Sequence, residues 1–134
     1  MTLYVDSSAL AKRYVAESDS DVAEAVLLSD SEWISANHTY VEVILALTRR
    51  LEERDARSAR DAFEDEWGRL LVVALDHDLC RRAAAVGAST GTRTLDALHL
   101  AAAERAGGSA LRFLTFDTRL AQAARSIGLT VVGA

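Results

Sequence analysis

The sequence has no proline and a single cysteine, and aromatic residues make up only 6% of its 134 residues. The absence of proline removes one signal of a rigid hinge between domains. Because Cys80 stands alone, no disulfide can form within the chain, and a reducing compartment such as the cytoplasm is favoured. Few aromatic residues together with abundant alanine favour closely packed helices.

Long hydrophobic runs are also missing. No apolar stretch approaches the roughly 20 residues that span a bilayer, and no charged segment followed by an apolar one precedes the first strand-like residues. We therefore expect a cytoplasmic protein without membrane association. The length predicts one domain over residues 1–134, which can bury roughly two-thirds of its unfolded surface.

Positive charge is scarce as well. The formal net charge is −5, and Lys12 is the only lysine, so all other basic side chains are arginine. A simple module that binds duplex nucleic acid is disfavoured, because such modules are usually basic. A nuclease stays possible, since the carboxylates of a metal site themselves contribute negative charge.

Short apolar runs alternate with helical patterns along the whole chain. The predicted strands are Leu3–Val5, Trp33–Ile34, Leu70–Leu75, Leu111–Phe116 and Leu129–Val132. The helices are predicted at about Ser7–Ala16, Ser18–Leu28, Asn37–Glu53 and Asp55–Trp67, then from Asp76 to a turn at Gly87–Gly91, from Thr94 to Gly107, and from Asp117 to Gly128. This order predicts an α/β fold with a central parallel sheet of about five strands and helices on both faces.

Four carboxylates occupy special positions in this pattern. Asp6 and Asp117 stand where a predicted strand ends and a helix begins, and Asp96 lies in the first turn of its helix. Glu42 lies inside an apolar stretch, where an unpaired carboxylate costs several kcal/mol. Because parallel strands end along one edge of a sheet, we expect these side chains to gather there. Carboxylate oxygens favour Mg²⁺ or Mn²⁺, which would offset their repulsion.

Each carboxylate also has an ordinary structural interpretation. Asp6 and Asp117 can each cap a helix, an interaction worth about 1 kcal/mol. Asp96 can pair with His99, which lies one turn further along the helix. Glu42 can form an ion pair with Arg49 or with a residue on another helix. The joint placement of the four carboxylates is what favours a metal site.

Five other residues carry weaker signals. Asp76 occupies the same kind of strand-to-helix junction and stays a candidate for the cluster. His38 and His77 lack metal-ligand spacing to each other, and His99 is interpreted as a packing or surface residue. Cys80 has no local feature of a nucleophile and is interpreted as a small helix residue.

Four segments of the chain resemble motifs of the PIN-domain ribonucleases. They are LYVDSSAL at 3–10, YVE at 40–42, TLDALHLA at 94–101 and LTFDTRL at 114–120. The resemblance covers the whole chain, in order and at the expected size. Within that family, a single short domain is most similar to the VapC toxins of VapBC toxin–antitoxin pairs.

The resemblance implies a Mg²⁺- or Mn²⁺-dependent endoribonuclease toxin of a type II toxin–antitoxin system. Such toxins cut RNA of the transfer or ribosomal class through a water activated by the metal. They form homodimers and are held inactive by a VapB-type antitoxin whose C-terminal segment lies across the active site. A PIN-like fold with a central parallel sheet follows from the same resemblance.

The resemblance also assigns roles to individual residues. Four carboxylates would be the catalytic residues and metal ligands, two hydroxyl side chains would orient them, and two arginines near the ligands are candidates for RNA contacts. In that order they are Asp6, Glu42, Asp96 and Asp117; Ser7 and Thr115; Arg93 and Arg119.

Other functions stay open at this level. The same acids could serve a small α/β phosphohydrolase or a flap-type DNA nuclease. A non-enzymatic interaction module would use them only as helix caps. A receiver-like phospho-acceptor domain is disfavoured, because this sequence has a single early aspartate and no lysine near its last strand.

Overall fold

A parallel sheet of five strands forms the centre of the computed structural model, which describes residues 2–134. In chain order the strands are β1 (Leu3–Val5), β2 (Trp33–Ala36), β3 (Leu71–Val73), β4 (Arg112–Thr115) and β5 (Thr130–Gly133). Across the sheet they lie in the order β3-β2-β1-β4-β5, and every neighbouring pair is parallel. Because β1 is central, its carboxyl end lies at the middle of one edge.

Helices cover both faces of this sheet, as the alternating pattern predicted. They are α1 (Ser7–Ala11), α2 (Ser20–Leu28), α3 (Asn37–Arg50), α4 (Glu53–Trp67), α5 (His77–Thr90), α6 (Thr94–Ala106) and α7 (Thr118–Ser126), with a short 3-10 turn at Gly108–Ala110. None of the helices formed by residues 2–134 has the length and hydrophobicity needed to cross a bilayer.

Two hydrophobic clusters hold the layers together. Leu3 and Val5 of β1 pack with α1 to α4 on one face, whereas Tyr4 packs with α5 to α7 on the other. This division follows from the period of two in a strand, which points successive side chains to opposite faces. All three side chains are fully buried, as expected for a central strand covered by helices on both sides.

The prediction of a buried strand at Leu70–Leu75 is only partly correct. The strand is shorter, and Leu71 and Val72 are 51% and 40% exposed. The physical reason is topological, since β3 lies at the edge of the sheet and pairs with β2 alone. Hydrophobicity identified the strand, but position in the sheet determined its burial.

The first helix is also shorter than predicted, ending at Ala11 rather than near Ala16. Beyond it, the amides of Arg13 and Tyr14 bond to carbonyls three residues back, which is the spacing of a tight turn. Arg13 pairs with Glu24 and Glu66 on two other helices, and Tyr14 packs edge-to-face on Phe63. These tertiary contacts stabilise the turn, and α1 ends before it.

The turn predicted at Gly87–Gly91 is wrong, because α5 continues to Thr90 and ends at Gly91 in a left-handed conformation with φ of 73°. A Cβ added at Gly87 would lie 3.2 Å from the Cβ of Ala97 on α6. Gly87 therefore permits the two helices to pack closely and does not break one. Asn37 and Thr94 are residue types that predict helix caps from the sequence, but they are instead the first residues of α3 and α6 and follow Ala36 and Arg93.

A pair of leucines tests this assignment of the core. Leu47 on α3 is fully buried, whereas Leu28 on α2 is 69% exposed. Leu47→Ala should lower the free energy of unfolding by about 2–5 kcal/mol, because it leaves a cavity. The control Leu28→Ala should change it by less than about 0.5 kcal/mol. Urea denaturation measures both, and equal losses would contradict the placement of Leu47.

Candidate active site

Asp6 lies immediately after β1 and is only 2% exposed. Its Oδ1 atom accepts hydrogen bonds from the backbone N–H of Ala9 at 2.8 Å and from the hydroxyl of Ser8 at 2.9 Å. Burial raises the pKa of Asp6 above its ordinary value, although the charge of His99 and a hydrogen bond from Thr115 oppose the shift. Asp6 therefore caps α1 and also holds a carboxyl group where ionisation is unfavourable.

Asp117 follows β4, the strand next to β1, and caps α7. Its Oδ1 atom accepts the backbone N–H groups of Arg119 at 2.9 Å and of Leu120 at 3.1 Å. The hydroxyl of Thr115 accepts the backbone N–H of Asp117 at 3.1 Å and also acts to lower the pKa of Asp6, so Thr115 lies between the two strand ends. The expected neighbours Asp6, Thr115 and Asp117 thus lie at one edge of the sheet.

Asp96 is half-buried in the first turn of α6, and its electrostatics link the four carboxylates. Burial raises the pKa of Asp96, and the charge of Asp117 raises it further. Asp6 and Glu42 act in the same direction. A carboxyl group whose pKa is raised by three others lies among them, so the four predicted acids share one region.

Glu42 reaches this region from the middle of α3. Its Oε1 atom lies 2.9 Å from Nε2 of His99 on α6, and the hydroxyl of Ser7 acts to lower the pKa of the Glu42 carboxyl. Burial alone raises the pKa of Glu42, but the hydrogen bond and charge of His99 outweigh it and bring the pKa below the ordinary value. Glu42 is therefore held as a carboxylate by a partner on another helix.

His99 is a structural link that sequence patterns did not identify. It is 1% exposed, and its Nδ1 atom lies 2.8 Å from the hydroxyl oxygen of Tyr4. Because a carboxylate only accepts hydrogen bonds, Nε2 of His99 donates to Glu42, while Nδ1 shares the second hydrogen bond with the hydroxyl of Tyr4. The interpretation of His99 as a packing residue is correct but incomplete, since the ring also orients Glu42.

His38 completes this group one turn before Glu42 on α3. Its Nε2 atom lies 3.6 Å from Oε1 of Glu42 and 3.1 Å from the carbonyl oxygen of Leu95, and its ring lies against that of His99. Burial lowers the pKa of His38 to about 4, so the ring is neutral at pH 7. The spacing of four residues between His38 and Glu42 was the available signal for this contact.

Two arginines border a pocket of about 690 Å³ beside the acids. Arg93, Asp96, Asp117, Arg119 and Gln122 are among its lining residues. Both arginine side chains are exposed, and within residues 2–134 neither forms an ion pair. Their guanidinium groups are thus available to an anionic ligand at the carboxylates.

Asp76, which the sequence left as a further candidate, has a different role. Its side chain caps α5 through the backbone N–H of Leu79 at 2.9 Å and forms a bidentate ion pair with Arg105 at 2.7 and 3.0 Å. Asp76 follows β3, the outermost strand on its side of the sheet, and β2 lies between β3 and β1. Cys80 is an exposed residue of α5, in line with its interpretation as an ordinary helix residue.

Comparison with known families agrees with this arrangement. The model of the PIN domain matches residues 3–126. The chain belongs to the PIN-domain family. This confirms the resemblance inferred from the four sequence segments, and it places all four carboxylates within the matched PIN-domain region.

Several known PIN-domain proteins are similar over nearly the full length. Ribonuclease VapC46 of Mycobacterium tuberculosis is 33% identical over 130 residues, which cover 97% of this chain and 95% of that protein. The crystal structure of M. tuberculosis VapC20, a toxin that cleaves the sarcin-ricin loop, has a TM-score of 0.75 at 21% identity and covers 90% of this chain and 94% of that one. A toxin–antitoxin complex from Klebsiella pneumoniae has a TM-score of 0.68 at 15% identity, with 88% of each chain covered.

The raised pKa of Asp96 predicts how the stability of this PIN domain depends on pH. A pKa raised by folding means that the folded chain binds protons more tightly, so the stabilisation is lost as pH rises through the folded pKa. In the metal-free protein at pH 7, Asp96→Asn should therefore raise the melting temperature by a few degrees. The difference should shrink as the pH falls below the ordinary aspartate pKa of about 3.9, where the carboxyl is protonated in both the folded and the unfolded state.

Asp61→Asn is a matched control, because it makes the same change in net charge at an exposed position of α4. It should leave the melting temperature nearly unchanged across this range. Thermal unfolding followed by circular dichroism in the presence of a chelator measures both variants. A lower melting temperature for Asp96→Asn at pH 7 would contradict the electrostatic interpretation.

Proposed function

We propose that this PIN-domain protein is a metal-dependent endoribonuclease toxin of a VapBC-type toxin–antitoxin pair. The observation that carries the proposal is the placement of Asp96 and Asp117 in one pocket at the sheet edge, where Asp6 bonds through its backbone N–H to the neighbouring strand β4. A relative that is 33% identical over 97% of this chain carries the name ribonuclease VapC46. The name of this relative and the carboxylates of this chain both support a ribonuclease function.

The carboxylates fit a divalent cation. Asp6, Asp96 and Asp117 form no ion pair with a basic side chain anywhere in residues 2–134, although Asp6 is almost fully buried. Together with Glu42 they offer only hard oxygen atoms, which Mg²⁺ or Mn²⁺ prefers. When bound, such a cation lowers the pKa of water and neutralises charge on a phosphodiester.

The hydroxyl residues give these ligands fixed orientations. We propose that Thr115 orients Asp6 and that Ser7 orients Glu42, since each hydroxyl acts to lower the pKa of that carboxyl. Because each carboxylate has one oxygen committed to the protein, the rotation of the ligand is restricted. We assign Ser7 and Thr115 this orienting role and the four acids the roles of metal ligands and catalytic residues.

RNA would approach through the pocket beside Asp96 and Asp117. Arg93 and Arg119 flank those two acids and can bind phosphate groups on either side of the scissile bond. The N-termini of α6 and α7 point positive dipole ends towards the same region. A chain with a net charge of −5 would thus present local positive charge where RNA must bind.

Further parts of the proposal rest on the relatives. The partner is a VapB-type antitoxin, and the substrate is RNA of the transfer or ribosomal class. We also propose that residues 1–134 form one PIN domain that acts as a homodimer in the cytoplasm.

Substitution of the acids tests the proposed reaction. Asp6→Asn and Asp96→Asn should each reduce RNA cleavage by roughly 100-fold or more, because several kcal/mol of transition-state stabilisation depend on the bound cation. Circular dichroism should show an intact fold. Asp61→Asn serves again as the control and should cut RNA like the parent protein. Cleavage is measured with purified protein, RNA and Mg²⁺.

The same assay separates the alternatives. Cleavage retained by Asp96→Asn would refute the proposed mechanism. Cleavage of DNA without cleavage of RNA would instead identify a DNA nuclease. An interaction module would cut neither substrate, and Mg²⁺ would not raise its melting temperature.

The arginines are tested by binding rather than cleavage. On the inactive Asp6→Asn background, Arg93→Ala or Arg119→Ala should weaken RNA binding. Each should also reduce the slope of log affinity against log salt concentration by about one, which is the effect of losing one phosphate contact. The affinity for Mg²⁺ should not change. Arg57→Ala is the control, because Arg57 is 72% exposed on α4 and does not line this pocket. Equal RNA affinity in all variants would contradict the assignment.

A further inference from the structure

A second group of potential metal ligands lies beside the four acids. His38 and Glu42 stand one turn apart on α3, and His99 faces them from α6. Among residues 2–134, these three offer one ligand atom each within 4.8 Å of one another. Their chemistry differs from that of the acids, because two of the three ligands are imidazole nitrogens.

The distances suit a small tetrahedral ion. Bonds of 2.0–2.1 Å place the ligand atoms of a tetrahedral zinc site roughly 3.3 Å apart. The observed separations from Oε1 of Glu42 are 2.9 Å to Nε2 of His99 and 3.6 Å to Nε2 of His38. These two values lie on either side of the required one, and the two imidazole nitrogens lie within 4.8 Å of each other, so the three ligand atoms surround a space of the size that the ion needs.

The surroundings of the two rings support this use. Nδ1 of His99 bonds to the buried hydroxyl of Tyr4 at 2.8 Å, and a metal-binding histidine commonly has such a partner on its other nitrogen. The side chain of His38 is 9% exposed, and its Nδ1 atom is buried without a hydrogen-bond partner. Both Nε2 atoms face Glu42. In the metal-free chain Nε2 of His99 donates to Glu42 and Nε2 of His38 donates to the carbonyl oxygen of Leu95, and zinc would take the place of both hydrogens.

We propose that His38, Glu42 and His99 form a Zn²⁺ site distinct in chemistry from the carboxylate site. Two imidazoles and one carboxylate are a common set of three protein ligands for zinc, whereas Mg²⁺ prefers oxygen ligands alone. Glu42 is 24% exposed, so the ion can reach the site from solvent and water can occupy the fourth position.

The sharing of Glu42 gives the site a regulatory consequence, which rests on the proposed ribonuclease function. Zn²⁺ bound to Glu42 and His99 replaces their hydrogen bond and removes Glu42 from the set of ligands available to Mg²⁺. Zinc should therefore inhibit Mg²⁺-dependent cleavage. The binding of zinc itself does not depend on that function.

Binding is tested on the metal-free full chain by calorimetric titration with Zn²⁺ and by the visible spectrum of bound Co²⁺. The parent protein should bind one Zn²⁺ per chain and give the intense Co²⁺ absorption of four-coordinate geometry. His38→Ala should weaken Zn²⁺ binding more than tenfold, and Tyr4→Phe should weaken it by about tenfold. His77→Ala is the matched control, because His77 is an exposed histidine of α5, and it should bind like the parent.

The outcomes are distinct. Equal Zn²⁺ affinity in the parent, His38→Ala and His77→Ala would overturn the site, as would a weak, six-coordinate Co²⁺ spectrum. Should His38→Ala melt well below the parent, His38→Gln replaces it and must show the same loss. Inhibition of cleavage by Zn²⁺ in the parent and its relief in the His38 variant support the regulatory consequence. If the protein cuts no RNA, titration and spectrum still decide the binding site.

Discussion

Negative charge concentrated at the carboxyl ends of β1 and β4 is the dominant physical constraint on this molecule. Two carboxylates about 4 Å apart repel by roughly 4 kcal/mol at an effective dielectric constant near 20, and Asp6 is almost completely removed from water. The chain offsets part of this cost with the backbone N–H groups at the starts of α1 and α7, which Asp6 and Asp117 accept. The remaining repulsion is the physical basis for the proposal that a divalent cation binds here.

The core of the sheet controls the orientation of the site through Tyr4. Its ring stacks on that of Phe113 with a centroid separation of 5.2 Å, and its hydroxyl bonds to His99. His99 in turn holds Glu42, whose helix packs on the opposite face of the sheet. One buried hydrogen-bonded chain thus joins the two helical layers at the edge where the carboxylates meet, and links the position of Glu42 to the packing of the core.

Sequence patterns were reliable where the determining forces are local. The strand at Leu3–Val5 and the helix caps at Asp6 and Asp117 depend on residues within one or two turns, and the structure confirms each of them. The patterns were less reliable at Gly87, whose role is close helix packing, and along β3, whose exposure depends on its place in the sheet.

The sequence by itself determined the order of strands and helices, the α/β class, the family and the carboxylates that follow the strands. These properties depend on the spacing of apolar residues and on short motifs, both of which involve residues close together in the chain. Only the tertiary structure decided that His99 bonds to Glu42 across 57 residues of chain, with His38 beside them. That contact depends on how helices from opposite faces meet at the sheet edge, and no local pattern encodes their distance.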